Sequence, residues 1–138
     1  MSKRGFTLIE LTIVLFLIGT MLFLAVPRIR DVVLTDELEK TANFLNTTAR
    51  QLRSDAVREQ VDYVMSLDLD HHLLYIYSTD MTPEAMQEAR KRSYNLSEKV
   101  KFVDVYQFGE EKITTGEVKI TFFRKGYTAP AVIHLARG

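Results

Sequence analysis

Residues 1–27 read MSKRGFTLIELTIVLFLIGTMLFLAVP, and this stretch decides the architecture of the chain. From Phe6 to Val26 run 21 residues with a single full charge, Glu10. As a helix rising about 1.5 Å per residue, that run spans roughly 31 Å, the thickness of a bilayer's hydrocarbon core. An isolated carboxylate at such a depth costs about 2.5–3.5 kcal/mol on insertion scales, which marks Glu10 as a functional residue in search of a partner. A secretory signal peptide fits poorly. The run is too long for its apolar region, and Leu24-Ala25-Val26-Pro27 is a poor small-residue cleavage site. A plain signal anchor, with Glu10 near the interface, stays open on these residues alone.

The block Gly5-Phe6-Thr7-Leu8-Ile9-Glu10, behind a short basic leader holding Lys3 and Arg4, resembles the start of a type IV prepilin. The resemblance implies a dedicated peptidase that cuts after Gly5 and methylates the new amino terminus on Phe6. It makes residues 1–5 a leader, residues 6–27 a transmembrane and filament-core helix, and residues 28–138 an outer domain. Charge alone orients the span weakly, since Lys3 and Arg4 lie before it and Arg28 and Arg30 after it. The resemblance puts the leader in the cytoplasm and the outer domain in the periplasm.

Cleavage would give Glu10 its partner. The freed Phe6 amine is cationic, and Glu10 lies just over one helical turn away. It can reach its own amine or that of a neighbouring subunit. A charge pair in hydrocarbon is far less costly than two lone charges, so the pair would set subunit register and tie assembly to processing. Gly19 and Pro27 are weak points of the helix. They match the glycine and proline that, in pilins, bound a stretch able to unwind in filaments; a simple kink is the other reading.

Composition bounds the outer part. The whole chain holds 138 residues, with 18 basic and 18 acidic side chains and no cysteine. Setting aside Lys3, Arg4 and Glu10 leaves 16 against 17 in residues 28–138, a net charge of −1. Such a domain is a weak attractor for nucleic acid. Without cysteine, disulfides, catalytic thiols and thiolate zinc sites are excluded, and core packing alone must hold the fold.

Leu34, Leu38, Ala42, Leu45, Ala49, Leu52 and Ala56 recur at steps of three and four, one stripe of an amphipathic helix continuing past Pro27. The spacing predicts a helix of more than 50 residues interrupted at Pro27. After Gln60 the period turns to two. Val61, Tyr63, Met65, Leu67 and Leu69 alternate with mostly polar residues, which predicts a half-buried strand. Leu73–Tyr77 is its expected hairpin partner, across a turn at Asp70-His71-His72. Thr82-Pro83 opens a short helix to about Arg92, with Thr82 as cap. Strands follow over Val100–Phe108, around Val118-Ile120-Phe122, and around Ala131-Ile133-Leu135, with turns at Gly109–Lys112 and Arg124–Gly126. The fold class read here is α+β: a long N-terminal helix, half transmembrane and half amphipathic, packed on a sheet of five or six antiparallel strands.

The segment Gly116-x-Val118-x-Ile120-x-Phe122-x-x-x-Gly126 and the closing Ile133-x-Leu135 make the chain similar to the H-type minor pseudopilins of type II secretion systems and their FimT-like relatives. The helix at 82–92 and the Arg124-Lys125 turn depart from that pattern. Major pseudopilins carry a calcium loop near the C-terminus; the stretch from Gly126 to Gly138 has no acidic cluster, which favours a minor subunit.

Other constellations read more simply. Asp68-x-Asp70-His71-His72 has metal-ligand residue types, but ligands so close in sequence need a third cluster, so a solvated hairpin tip is preferred. His134 alternates with Ile133 and Leu135, as an exposed strand residue does. Arg90-Lys91-Arg92 beside Tyr94 shares its helix with Glu84 and Glu88, a solvated face. Arg124, Lys125 and Arg137 are the basic residues a FimT-like subunit would bring to DNA, and the near-neutral domain argues against that use. No enzyme site, metal site or cofactor motif stands out. The reading is a structural subunit: a minor pseudopilin in the inner membrane, single-pass, assembling into a periplasmic filament. Its partners would be other pseudopilins, the prepilin peptidase/methyltransferase and an inner-membrane assembly platform. The alternatives are a minor type IV pilin, with DNA uptake as its role, and a membrane-anchored periplasmic binding or sensor domain.

Overall fold

The computed structural model describes residues 5–138, the side chains of residues 25–36 excepted. Lys3 and Arg4 of the leader, and the side chains of Pro27 and Leu34, therefore lie outside the described residues. The chain divides between Asp36 and Glu37 into two units. Helix α1 (Leu8–Glu59, 52 residues) contributes to both. Its backbone is helical through Gly19 and Pro27. A proline removes one donor from the ladder, and the remaining bonds keep the helix going.

In the second unit α1 buries Leu45, Leu52 and Ala56, as the stripe predicts, but exposes Ala42. Thr41 takes its place in the buried face, its hydroxyl donating to the Glu37 carbonyl at 2.9 Å. The helix ends on Gln60, whose φ of 57° is left-handed, and Val61 N–H returns to the Ala56 carbonyl at 3.2 Å. That closure usually falls on glycine, and no glycine marks it in the sequence.

Six strands follow, in two sheets. β1 (Tyr63–Asp68), β2 (Leu73–Ser78), β3 (Tyr94–Asn95) and β5 (Glu117–Phe122) form one antiparallel sheet in the order β3-β2-β1-β5. β4 (Val100–Gln107) and β6 (Ala131–Arg137) form a separate two-stranded sheet. The single sheet expected from the sequence is thus two, and period-two patterning cannot tell which strands pair. Helix α2 (Pro83–Lys91) is capped by Thr82, whose hydroxyl accepts from Ala85 N–H at 3.3 Å. One core joins the layers: Leu45, Leu52 and Ala56 of α1 with Met65, Leu67, Phe102, Val105, Ile120 and Phe122 of the strands.

β1 departs from the half-buried expectation, being buried on both faces. It lies between β2 and β5, and its outward Ser66 donates to Glu117, as does Tyr75. Burial pushes the Glu117 carboxyl up, but these two hydrogen bonds, with the charges of Lys119 and Arg90, bring the group below its ordinary 4.5. A carboxyl depressed in the folded state stabilises above its unfolded value, and that contribution fades as pH falls through the folded value. Thermal melts of Glu117→Gln should therefore lose less stability than wild type between pH 4.5 and acid unfolding. Parallel acid limbs for the two proteins would show that Glu117 does not couple folding to protons.

Candidate functional site

Gly5, Phe6 and Thr7 precede α1 as non-helical backbone, so the Gly5–Phe6 peptide bond lies outside the helix. Thr7 stands immediately before the helix. Its hydroxyl accepts from Glu10 N–H at 3.4 Å, and its carbonyl accepts from Leu11 N–H at 3.2 Å. Thr7-Leu8-Ile9-Glu10 has the form of a capping box, a signal present in the sequence but overlooked there. Gly5, Phe6, Thr7 and Glu10 line one concavity. A side chain built on Gly5 would meet nothing within 4 Å, and the same holds at Gly19. The fold of this chain therefore requires glycine at neither position.

The helix that follows is apolar on every side and uncovered. Leu8 is 84% exposed, Phe16 72% and Phe23 78%. Its polar side chains satisfy themselves: Thr12 donates to the Leu8 carbonyl at 2.9 Å and Thr20 to that of Phe16 at 2.6 Å. Threonines bonded in this way add little to the cost of an apolar environment. Among the described residues the Glu10 carboxylate has no hydrogen-bond or ion-pair partner. Among the described residues, too, no helix is long and apolar enough to cross a membrane. The described apolar side chains of α1 stop at Leu24, while the run in the sequence continues through Ala25 and Val26.

The remaining candidates have structural partners. Asp68 accepts from the N–H groups of Asp70 and His71 at 3.0 Å, and its other oxygen lies 2.9 Å from His71 Nδ1. Burial raises the Asp68 carboxyl, and the bonds from His71 and Asp70 bring it below its usual value. His72, at a φ of 52°, accepts from Phe102 N–H through Nδ1 at 3.3 Å. Asp70 accepts from Gly116 N–H at 3.0 Å. The hairpin tip is thus a tie between the two sheets, which residue types alone did not reveal. His134 Nδ1 lies 2.5 Å from Asp104. Arg90 sits over the Tyr75 ring and Lys91 pairs with Glu88 at 2.9 Å. Of the three basic residues near the C-terminus, Arg124 is held by Asp62 at 3.1 Å, Lys125 is exposed, and Arg137 closes β6 opposite Val100.

Residues 1–26 match the family model of the prokaryotic N-terminal methylation motif. No curated protein sequence is significantly similar to the chain. Two solved structures share the fold, both of the minor pseudopilin EpsH from the type II secretion system of Vibrio cholerae. One is 13% identical, covering 73% of this chain and 80% of that one at a TM-score of 0.57. The other is 14% identical, covering 74% and 78% at a TM-score of 0.52.

Proposed function

We propose that this chain is an H-type minor pseudopilin, a structural subunit of the periplasmic filament of a type II secretion system. One observation carries the reading: a methylation motif and a minor-pseudopilin fold coincide in one chain. The uncovered apolar helix supports it, because bare apolar surface of this extent needs lipid or neighbouring subunits around it.

In this reading residues 1–5 are the leader, residues 6–27 span the inner membrane before assembly, and residues 28–138 stand in the periplasm. Gly5–Phe6 is the bond cut by the prepilin peptidase, and Phe6 is then N-methylated. The stretch from Gly19 to Pro27 is the weak point of the helix within the filament. The chain performs no catalysis of its own. Its partners are the other pseudopilins and the inner-membrane assembly platform.

Glu10 is the group on which assembly turns. Its carboxylate pairs with the Phe6 amine that processing creates, so that two charges enter the apolar filament core as one neutral pair. Intact mass of the chain from native membranes should lack five residues and carry one added methyl group. Glu10→Leu removes a group unfavourable in hydrocarbon, so insertion and cleavage should proceed normally. Co-purification with other pseudopilins should nonetheless fall about tenfold or more, as the buried amine loses its mate. A retained leader in wild type, or normal assembly and secretion by Glu10→Leu, would overturn the reading.

A further inference from the structure

The inward face of β6 is incompletely covered. Ala131, Ile133 and Leu135 are only half-buried, although Phe102 and Val105 opposite them on β4 are 3% and 0% exposed. The three β6 side chains line a groove of about 410 Å³, whose other walls include Ala42 and Ala49 of α1 and Phe122 of β5. This groove explains why Ala42 is exposed against its periodicity: it stands on an open wall.

The backbone of β6 is open along the same groove. Val105 exchanges both of its hydrogen bonds with Ile113, each at 2.9 Å. In an antiparallel ladder a residue bonds to one side only, so Val105 and Ile133 are a non-bonded pair. The N–H and C=O of Ile133 therefore point away from β4. Phe102 repeats the argument, since its N–H goes to His72 and leaves Leu135 facing outward. By alternation Ala131 faces outward as well. Among the described strands β6 pairs with β4 alone, and no side chain bonds to these three N–H groups. Exposed edges are ordinarily blunted by lysine, proline or a bulge. Ala131-Val132-Ile133-His134-Leu135 has neither lysine nor proline, and the ladder's bulge lies on β4.

We propose that this edge and groove receive an extended segment of a neighbouring filament subunit by strand addition. Alternate outward N–H and C=O groups, about 7 Å apart along the strand, match only another extended backbone. Apolar side chains at every second residue of that segment would enter the groove, over about five residues. A lipid chain could fill the apolar space but would leave the backbone groups unpaired. The proposal rests on the pseudopilin reading.

The test is hydrogen exchange on the full-length chain, alone in detergent micelles and co-purified with the other pseudopilins of its secretion system. The amides of Ala131, Ile133 and Leu135 should exchange freely in the chain alone and slow about tenfold or more in the complex. Those of Val132 and His134, which face β4, should be protected in both. Ile133→Pro removes one outward N–H and spares the bonds to β4, as edge strands permit. Co-purification should drop about tenfold for this variant and stay unchanged for Ile133→Val. Should Ile133→Pro prove misfolded by circular dichroism, the wild-type exchange pattern decides alone. A complex in which the three amides still exchange freely overturns the proposal and leaves the pseudopilin reading intact. Protection that grows with concentration of the chain alone would assign the edge to a second copy and overturn it too. Absence of any co-purification overturns both.

Discussion

Gly5→Leu is expected to leave the chain uncut, lowering processing about a hundredfold or more, which is roughly 2.7 kcal/mol of barrier. Within this chain a Cβ at Gly5 has open space, and the residue lies outside the helix. Leucine should therefore disturb neither α1 nor the folded unit beyond Asp36. In the proposed processing, what it would obstruct is the close approach of the peptidase backbone to the Gly5–Phe6 bond. Intact mass should show the full precursor for the variant and, for wild type, loss of five residues with gain of one methyl group. The thermal melt of the variant should match that of wild type. On the proposed pairing, uncut Gly5→Leu lacks the Phe6 amine that Glu10 would meet, and the variant should fail to assemble. Cleavage of Gly5→Leu at the wild-type rate would mean that the cut does not depend on glycine and would overturn this role for Gly5.

Leu52→Asp should abolish cooperative folding of residues 29–138. Leu52 is 5% exposed and belongs to the cluster with Phe102, Val105 and Ile120. A lone carboxylate there, with no cation in the cluster, costs about 4 kcal/mol or more. A domain of this size has only about 5–15 kcal/mol to lose. Ala42→Asp is the matched control: the same stripe, the same charge, but an exposed position. It should melt within about 0.5 kcal/mol of wild type, as surface substitutions do. Circular dichroism and thermal melts separate the two. If Leu52→Asp melts like wild type, this face of α1 is turned to other subunits and the core described here is wrong.

These two variants also mark how far the chain could be read before it was seen folded. The motif around Gly5 and Glu10 was legible because it is local: residue types at fixed spacing, which the match over residues 1–26 repeats whatever the fold beyond them. The long helix, the cap at Thr82-Pro83 and the hairpin of β1 with β2 were legible for the same reason, each being dictated by neighbours within a few residues. The Thr7–Glu10 box belongs with them, since it too is set by residues three apart. Gln60 does not, because its left-handed turn is imposed by the packing at the end of α1 rather than by its own preference.

Tertiary structure alone decided which strands pair and which surfaces remain open. Alternation told that β4 and β6 are strands but not that they leave the main sheet, since a pattern of period two is blind to partners. Residue types alone left His71 and His72 as a solvated hairpin tip, whereas the fold uses one to hold Asp68 and the other to tie the tip to β4. Ala42 shows the limit most directly. Its place in the stripe is set by helical geometry, which the sequence carries in full. Its exposure is set by how far two sheets separate above it, and that distance is the sum of long-range contacts that no local spacing records.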